Sequence, residues 1–292
     1  MDRAPVYVLL GFGGMLGNAF YRALCERHVA DYRIYAFDHA RIDITHLGQV
    51  RPVIEYLRPT CVINCAAASD LEICEKARLG SFVVNARGPE IVASECARVG
   101  AKLLHVSTYQ VFGGARKTPY LESTTTGPVN QYGLSKLEGE VAIRKVLSNH
   151  LIIRPGWLFT YEARNILTDW IGKMDRGSNV IVRGECRGSP TFVPDLVDAA
   201  LDLADMDAKG IFHVANAGGA SFEEVASDVV SLCKSNSNVM VAPPVLHSLF
   251  KVSIPAYGVL STRKHDSLAK HRVRPWRDAL RQCLAMMGRY KP

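Results

Sequence analysis

The 292-residue sequence contains no apolar run near the ~18 residues that a membrane helix needs, so no span is expected. It also lacks C-x-x-C cysteine pairs, zinc-finger spacing, an aromatic run of the RNP type, internal repeats and low-complexity segments. Those absences remove metal-stapled modules, RNA-binding sheets, solenoids and disordered tethers in turn. Cysteine itself is present, at Cys25, Cys61, Cys65, Cys74, Cys96, Cys186, Cys233 and Cys283, mostly inside apolar or helical-looking runs. These read as free buried thiols of a reducing compartment, with no metal site. The opening MDRAPVYVLLGFGGMLGNAF carries one basic residue before its apolar stretch, too little for a secretory signal, so a cytoplasmic protein is expected.

What is present describes a globular chain. Hydrophobic residues make up 48% and charged residues 22%, a balance that buries a core and does not leave a disordered coil. The length suggests two domains or one large one, at roughly 150 residues per domain. The net charge of +7 is concentrated late: Lys251, Arg263, Lys264, Lys270, Arg272, Arg274, Arg277, Arg281, Arg289 and Lys291 stand against Asp266 and Asp278. Without a nucleic-acid motif beside it, this cluster reads as a solvated face or an attraction for a small anionic substrate. Neither a nucleic acid nor a membrane is expected as a partner.

The first two-thirds alternates β-rich runs with helical stretches, the pattern of a parallel sheet covered by helices. PVYVLLG, YRIYAFD, PTCVINCAA, AKLLHVSTYQVF and HLIIRPGWLF read as strands. Helices are expected from Leu16 to Cys25, after Thr45 as a cap, over SFVVNARGPEIVASECARVG up to Gly100, and around Tyr132. Later, GIFHVANAGGASFEEVASDVV reads as strand, glycine turn and helix, VAPPVLHSLFKVSIPAYGV as Pro-broken and irregular, and PWRDALRQCLAMMG as a closing helix beginning at Pro275.

Gly11, Gly14 and Gly17 form G-x-x-G-x-x-G between the first strand and the first helix. The first glycine permits a tight turn, the second lets backbone approach a pyrophosphate, and the third allows close helix–strand packing. The helix start then offers free N–H groups to phosphate. Asp38 ends the second strand 21 residues past Gly17, where a carboxylate accepts bonds from an adenosine ribose. Asp38 argues for NADH, and the neighbouring His39 and Arg41 argue for NADPH; as a plain turn residue it would argue for neither. Asp43 suits an adenine edge or a helix cap. Asn64 to Ala68, NCAAA, is small enough for a nicotinamide to lie on its backbone. The expected fold is therefore α/β: a Rossmann-type doubly wound parallel sheet with a smaller C-terminal substrate-binding lobe. Residues 1–160 form the NAD(P)-binding domain and 161–292 mostly the lobe, with about 185–217 returning to the core.

HVSTYQVF places Ser107 and Thr108 at the carboxyl end of a strand, the edge where open α/β sheets bind ligands. Tyr132 and Lys136 follow Thr108 by 24 and 28 residues and lie one above the other on a helix. Reduction of a ketone by a nicotinamide needs such a set. The alkoxide formed by hydride addition takes a proton from Tyr132; Lys136 lowers the tyrosine pKa and holds the ribose; Thr108 bonds the carbonyl oxygen. Taken singly, Thr108 is a strand-end threonine, Tyr132 a half-buried aromatic and Lys136 a surface partner for Glu140. Their order behind the glycine motif favours the catalytic set.

This combination resembles the extended short-chain dehydrogenase/reductase superfamily and, within it, the dTDP-4-dehydrorhamnose reductase family over nearly the whole chain. The matching phrases include VINCAAASDLEICE, FVVNARGPEIVA, HVSTYQVFGG, TPYLESTTTGPVNQYGLSKLEGE, IIRPGWLF, GSPT and PWRDAL. The resemblance implies NADH- or NADPH-dependent reduction of the 4-keto group of a nucleotide-linked 6-deoxysugar, a nucleotide-diphosphate sugar as partner, and a homodimer. It carries Met15, Leu16, Asp43, Ile44, Ala66, Ala67 and Ala68 over as cofactor contacts, Trp157 as a residue lining the sugar, and Thr108, Tyr132 and Lys136 as the reacting set.

One departure stands beside the reacting carbonyl. Where the family has Asp after its Ser-Thr pair, this chain has Tyr109, followed by Gln110 in place of the usual aromatic. Tyr109 thus bears on which sugar is taken. The missing carboxylates disfavour a 4,6-dehydratase, and the missing cysteine disfavours an epimerase–reductase of the GDP-fucose synthase kind. A nucleotide-sugar 4-epimerase and a regulatory subunit resembling the methionine adenosyltransferase β subunit remain as alternatives.

Overall fold

The computed structural model describes residues 4–27, 32–184, 186–242, 252–269 and 272–291. Lys251 and Lys270, and residues 243–251 of the Pro-broken segment, lie outside the described residues. The chain runs β1 (Val6–Leu10), α1 (Met15–Arg27), β2 (Arg33–Phe37), α2 (Leu47–Leu57), β3 (Cys61–Asn64), α3 (Leu71–Lys76), α4 (Arg78–Phe82), a π turn (Val83–Arg87), α5 (Gly88–Val99), β4 (Lys102–Val106), α6 (Gln131–Val146) and β5 (His150–Arg154). It continues through β6 (Trp157–Phe159), α7 (Ile166–Asp175), β7 (Val180–Arg183), β8 (Arg187–Gly188), β9 (Pro190–Phe192), α8 (Val193–Asp205) and β10 (Gly210–His213). The remainder is β11 (Ala220–Ser221), α9 (Phe222–Leu232), β12 (Val239–Ala242), β13 (Tyr257–Gly258), α10 (Arg263–Leu268) and α11 (Trp276–Met286).

Six strands form one parallel sheet in the order β10-β5-β4-β3-β1-β2. It is the doubly wound α/β architecture expected from the alternation. Strands β1 and β4 are buried at every residue, as strands covered on both faces must be. Alternate side chains serve opposite layers. Leu9, Ile63, Leu104 and Ile153 meet Phe20 and Leu24 of α1 and Leu196 to Leu203 of α8. Val8, Val62, Leu103 and Ile152 meet α2, α5 and Ile143 of α6. A separate core of Trp170, Phe192, Phe222, Leu280 and Leu284 holds the later elements together. From β1 the chain steps to β2 on one side and then crosses to β3 on the other. That reversal is the switch point at which such sheets bind ligands.

Several local expectations need correction. The strand read through Phe112 stops at Val106, because Thr108 accepts the Gln110 N–H at 3.2 Å and caps a 3-10 turn over Tyr109–Val111. The strand read from His150 to Phe159 breaks at Pro155-Gly156. β5 stays in the main sheet, whereas β6 pairs with β9. Gly156 is required at the break, since a Cβ there would fall 1.9 Å from the Ser189 carbonyl oxygen. Thr45 does not cap α2: its N–H and hydroxyl both donate to Asp43 Oδ1, at 2.9 and 2.7 Å, in a turn that precedes the helix. Gly100 does close α5, at φ +75°, and Ser221 starts α9 with a capping box to Glu224.

Much of the late positive charge is answered within the fold. Arg274 grips Asp195 with two bonds of 2.8 Å, Arg277 meets Asp228 at 2.9 Å, and Arg289 meets Asp175 at 2.5 Å. Among the described residues no helix is long and apolar enough to cross a membrane.

Candidate active site

The carboxyl ends of β1, β3 and β4 converge on a cavity of about 740 Å³. Gly11 follows β1 at φ +81°, and a Cβ on it would lie 2.5 Å from the Ala66 nitrogen beyond β3. Gly17 brings α1 against the same loop, since a Cβ there would sit 2.2 Å from the Gly11 oxygen. Gly14 differs from both. Its Cβ position meets only the Gly11 oxygen, at 3.5 Å, so the space above it stays open. Two glycines pack the loop and one exposes backbone, which is the division of labour a phosphate cradle requires.

Helix α6 carries Tyr132 and Lys136 to the same cavity. Its N-cap, Asn130, accepts the Gly133 N–H at 2.7 Å and donates to Gln110 Oε1 at 2.7 Å, tying the helix start to the 3-10 turn. Gly133 makes that approach possible, because a Cβ on it would lie 2.2 Å from the Gln110 oxygen. Gly139 does the same one side over, against the Asn85 oxygen at 2.2 Å. Both glycines of QYGLSKLEGE are thus packing residues that seat the helix against its neighbours.

The polar groups behind this face are almost wholly buried. Lys136 is 1% exposed; its Nζ donates to the Val106 carbonyl at 2.6 Å and lies 3.3 Å from His105 Nε2. Burial lowers its pKa to about 8, against the upward pull of Glu140. Burial pushes Tyr132 up to about 12, opposed by a hydrogen bond with Thr108. The acidifying effect expected of Lys136 does not appear at Tyr132 in this state: burial raises the phenol, and the opposing effect comes from Thr108. Glu140 is not the ion-pair partner of Lys136. Arg154 holds it bidentately, at 2.8 and 2.5 Å, and Ser107 donates to it at 2.5 Å.

Of the residues singled out in the sequence, Gly14, Met15, Leu16, Ala67, Thr108, Tyr109, Tyr132, Lys136 and Trp157 line the cavity together. Gly11, Ala66 and Ala68, in the loops after β1 and β3, and Gly17, in the first turn of α1, shape the cavity without lining it. Asp38 accepts the Arg41 N–H at 3.1 Å beyond β2, and Ile44 is 3% exposed beneath Gly88. Tyr109 is buried, its ring edge 2.4 Å from where a Gly258 Cβ would be; Trp157 occupies the space left by Gly188 in the same way.

Sequence reasoning missed two groups. Arg164, Lys173 and Arg183 bring positive charge to the cavity wall from elements far along the chain. Asn85, on the π turn, accepts from Ala68 N at 2.9 Å and donates to Ala68 O at 2.8 Å and Ser135 Oγ at 3.0 Å, clamping the loop after β3 to α6. The only signal for Asn85 was its place inside FVVNARGPEIVA.

The chain is 34% identical over 291 residues to dTDP-4-dehydrorhamnose reductase of Mycobacterium tuberculosis, covering 97% of this chain and 93% of that one. A crystal structure of dTDP-4-dehydrorhamnose reductase from Bacillus anthracis in complex with NADP superposes with a TM-score of 0.91 at 29% identity, over 98% of this chain and all of that one. A UDP-glucose 4-epimerase of Thermus thermophilus in complex with NAD shares the fold alone, with a TM-score of 0.84 at 18% identity over 97% and 99% of the two chains. Residues 6–289 match the family model described as the RmlD substrate binding domain, and the chain belongs to that family.

Proposed function

We propose that the protein is an oxidoreductase that uses NADPH or NADH to reduce the 4-keto group of a nucleotide-linked 6-deoxysugar, in deoxysugar and polysaccharide biosynthesis. The observation that carries this reading is one cavity whose wall joins the glycine loop at Gly14 to Thr108, Tyr132 and Lys136. The residues fit a dinucleotide, since the backbone at Gly14 is open and helix α1 begins beside it. Gly11 to Gly17, Asp38, Asp43, Ile44 and Ala66 to Ala68 would hold it, with Tyr132 and Lys136 at the nicotinamide end. Its chemistry, when bound, is delivery of a hydride to the carbonyl carbon.

The chain's own groups do the rest. Thr108 positions the carbonyl oxygen, Tyr132 gives that oxygen its hydroxyl proton, and Lys136 returns a proton to the phenolate. Arg164, Lys173 and Arg183 suit the diphosphate of the substrate, and Tyr109 and Trp157, which line the same cavity, suit its sugar. The test is incubation with dTDP-4-keto-6-deoxysugars and either reduced nicotinamide. Loss of the reduced-nicotinamide absorbance is expected, and the ratio of kcat/KM for NADH and NADPH ranks Asp38 against His39 and Arg41. No absorbance loss with any 4-keto nucleotide sugar overturns the reading.

A further inference from the structure

Behind Lys136 lies a chain of buried groups that the reaction scheme above does not use. Asn64 and His105 are register partners on β3 and β4, and both are 0% exposed. Asn64 Oδ1 accepts the Ala66 N–H at 3.0 Å, and its Nδ2 lies 3.2 Å from His105 Nδ1. His105 Nε2 in turn lies 3.3 Å from Lys136 Nζ, which donates to the Val106 carbonyl at 2.6 Å.

The two ends of this chain are backbone groups that cannot exchange roles. An amide N–H only donates, so the Asn64 atom facing Ala66 is the oxygen, and its NH2 group faces His105. Nδ1 of His105 must then accept. Burial, with Lys136 adding to it, holds His105 well below the ordinary imidazole range, so the ring is neutral and its one proton sits on Nε2. An N–H therefore points at Lys136 Nζ. An ammonium has three donors and no lone pair, so that contact favours the amine and disfavours the ammonium.

We infer that Asn64 and His105 form a tautomer lock, in which His105 is a positioning residue that weakens the hold of Lys136 on its proton. The catalytic consequence rests on the ketoreductase reading. As the carbonyl carbon takes up a hydride, its oxygen takes the Tyr132 proton. Lys136 then passes one ammonium proton to the phenolate and becomes an amine, which His105 Nε2–H is already placed to hydrogen-bond. The lock makes Lys136 the stronger acid at that step. The other titratable or charged groups around Lys136 are Tyr132 and Glu140 on its own helix, Arg154 on β5, which neutralises Glu140, and Cys65 after β3, whose thiol burial pushes up to about 12. None of these supplies an N–H donor to Nζ in place of His105.

The first test needs no variant and no substrate. Long-range 1H–15N correlation on protein labelled with [15N]histidine, assigned for His105, reads the tautomer directly; the Nε2–H form is expected. The Nδ1–H form or an imidazolium overturns the lock and leaves the ketoreductase reading untouched. The second test is Asn64→Asp, which keeps an acceptor for Ala66 N–H but now accepts from His105 Nδ1 as well, turning Nε2 into an acceptor. Lys136 then holds its proton more tightly, so the basic limb of log kcat against pH, where the ammonium is lost, moves up by about one unit or more. The same substitution in a His105→Met background separates the imidazole from the simple charge of Asp. The shift is expected to shrink by more than half there. A shift that survives loss of the ring overturns the proposal.

Discussion

Tyr132 stands on the cavity wall beside Thr108, four residues before Lys136 on the same helix. Its proton is held tightly in this state because burial disfavours the phenolate, so it acts as an acid only when an alkoxide is there to receive the proton. Replacing Tyr132 by Phe removes that proton and leaves the ring's packing. The expected outcome is a loss in kcat of about 10²- to 10⁴-fold with little change in nicotinamide affinity, read by steady-state kinetics beside a fluorescence titration. A variant that turns over at the wild-type rate removes Tyr132 as the acid. Tyr132, Lys136 and Thr108 were legible because each carries its chemistry in its residue type, at an order and spacing that helix and strand geometry turn into proximity. His105, Asn64 and Asn85 were not. Their roles lie in partners 41 and 50 positions away, and nothing local distinguishes them from ordinary polar residues of a strand end or a helix.

At the scale of the element, α6 is seated by glycine. A methyl on Gly133 meets the Gln110 oxygen and one on Gly139 meets the Asn85 oxygen, each at 2.2 Å against backbone that cannot turn aside. Gly133→Ala and Gly139→Ala are each expected to cost about 1–3 kcal/mol of stability, the range for overpacking a close contact. They differ in reach. Gly133 adjoins Tyr132 and the turn that Thr108 caps, so its variant is expected to lose kcat more steeply than Gly139→Ala at equal loss of Tm. Equal kinetic loss would mean that both act through global stability alone. The strand and helix periods of these elements could be read directly, but their ends could not. Val111 and Phe112 look like a continuing strand because they are apolar and β-prone. They are buried in a separate cluster with Tyr109, Tyr120 and Leu260 after the 3-10 turn has redirected the chain.

For the whole molecule, the site lies between the sheet edge and the later elements, with Arg164, Lys173, Arg183 and Phe222 on its wall beside the glycine loop. A ligand that touches both parts stabilises the folded chain by mass action, by about 2.7 kcal/mol at a hundred times its Kd. Thermal unfolding in a panel of nucleotides and nucleotide sugars is expected to show the largest rise in Tm for a 4-keto-deoxysugar substrate analogue added with oxidised cofactor, exceeding the rise with either alone. No added rise from any nucleotide sugar would count against a substrate pocket at this wall. The late positive charge belongs to this scale as well. Arg274, Arg277 and Arg289 fasten α11 and its flanks to Asp195, Asp228 and Asp175, so a cluster of cations in sequence becomes a set of ion pairs in space.

The parallel sheet, the phosphate loop and the reacting Thr–Tyr–Lys set follow from local pattern: buried apolar runs, helical periodicity, and residue types whose chemistry is intrinsic. Which backbone groups face those residues is a matter of packing. Only the assembled fold puts the Ala66 N–H, Asn64 and His105 behind Lys136, gives Glu140 to Arg154 instead of Lys136, and raises Tyr132 by burying it. Those effects depend on desolvation and on hydrogen bonds between strands distant in sequence, and both come into being when the layers close.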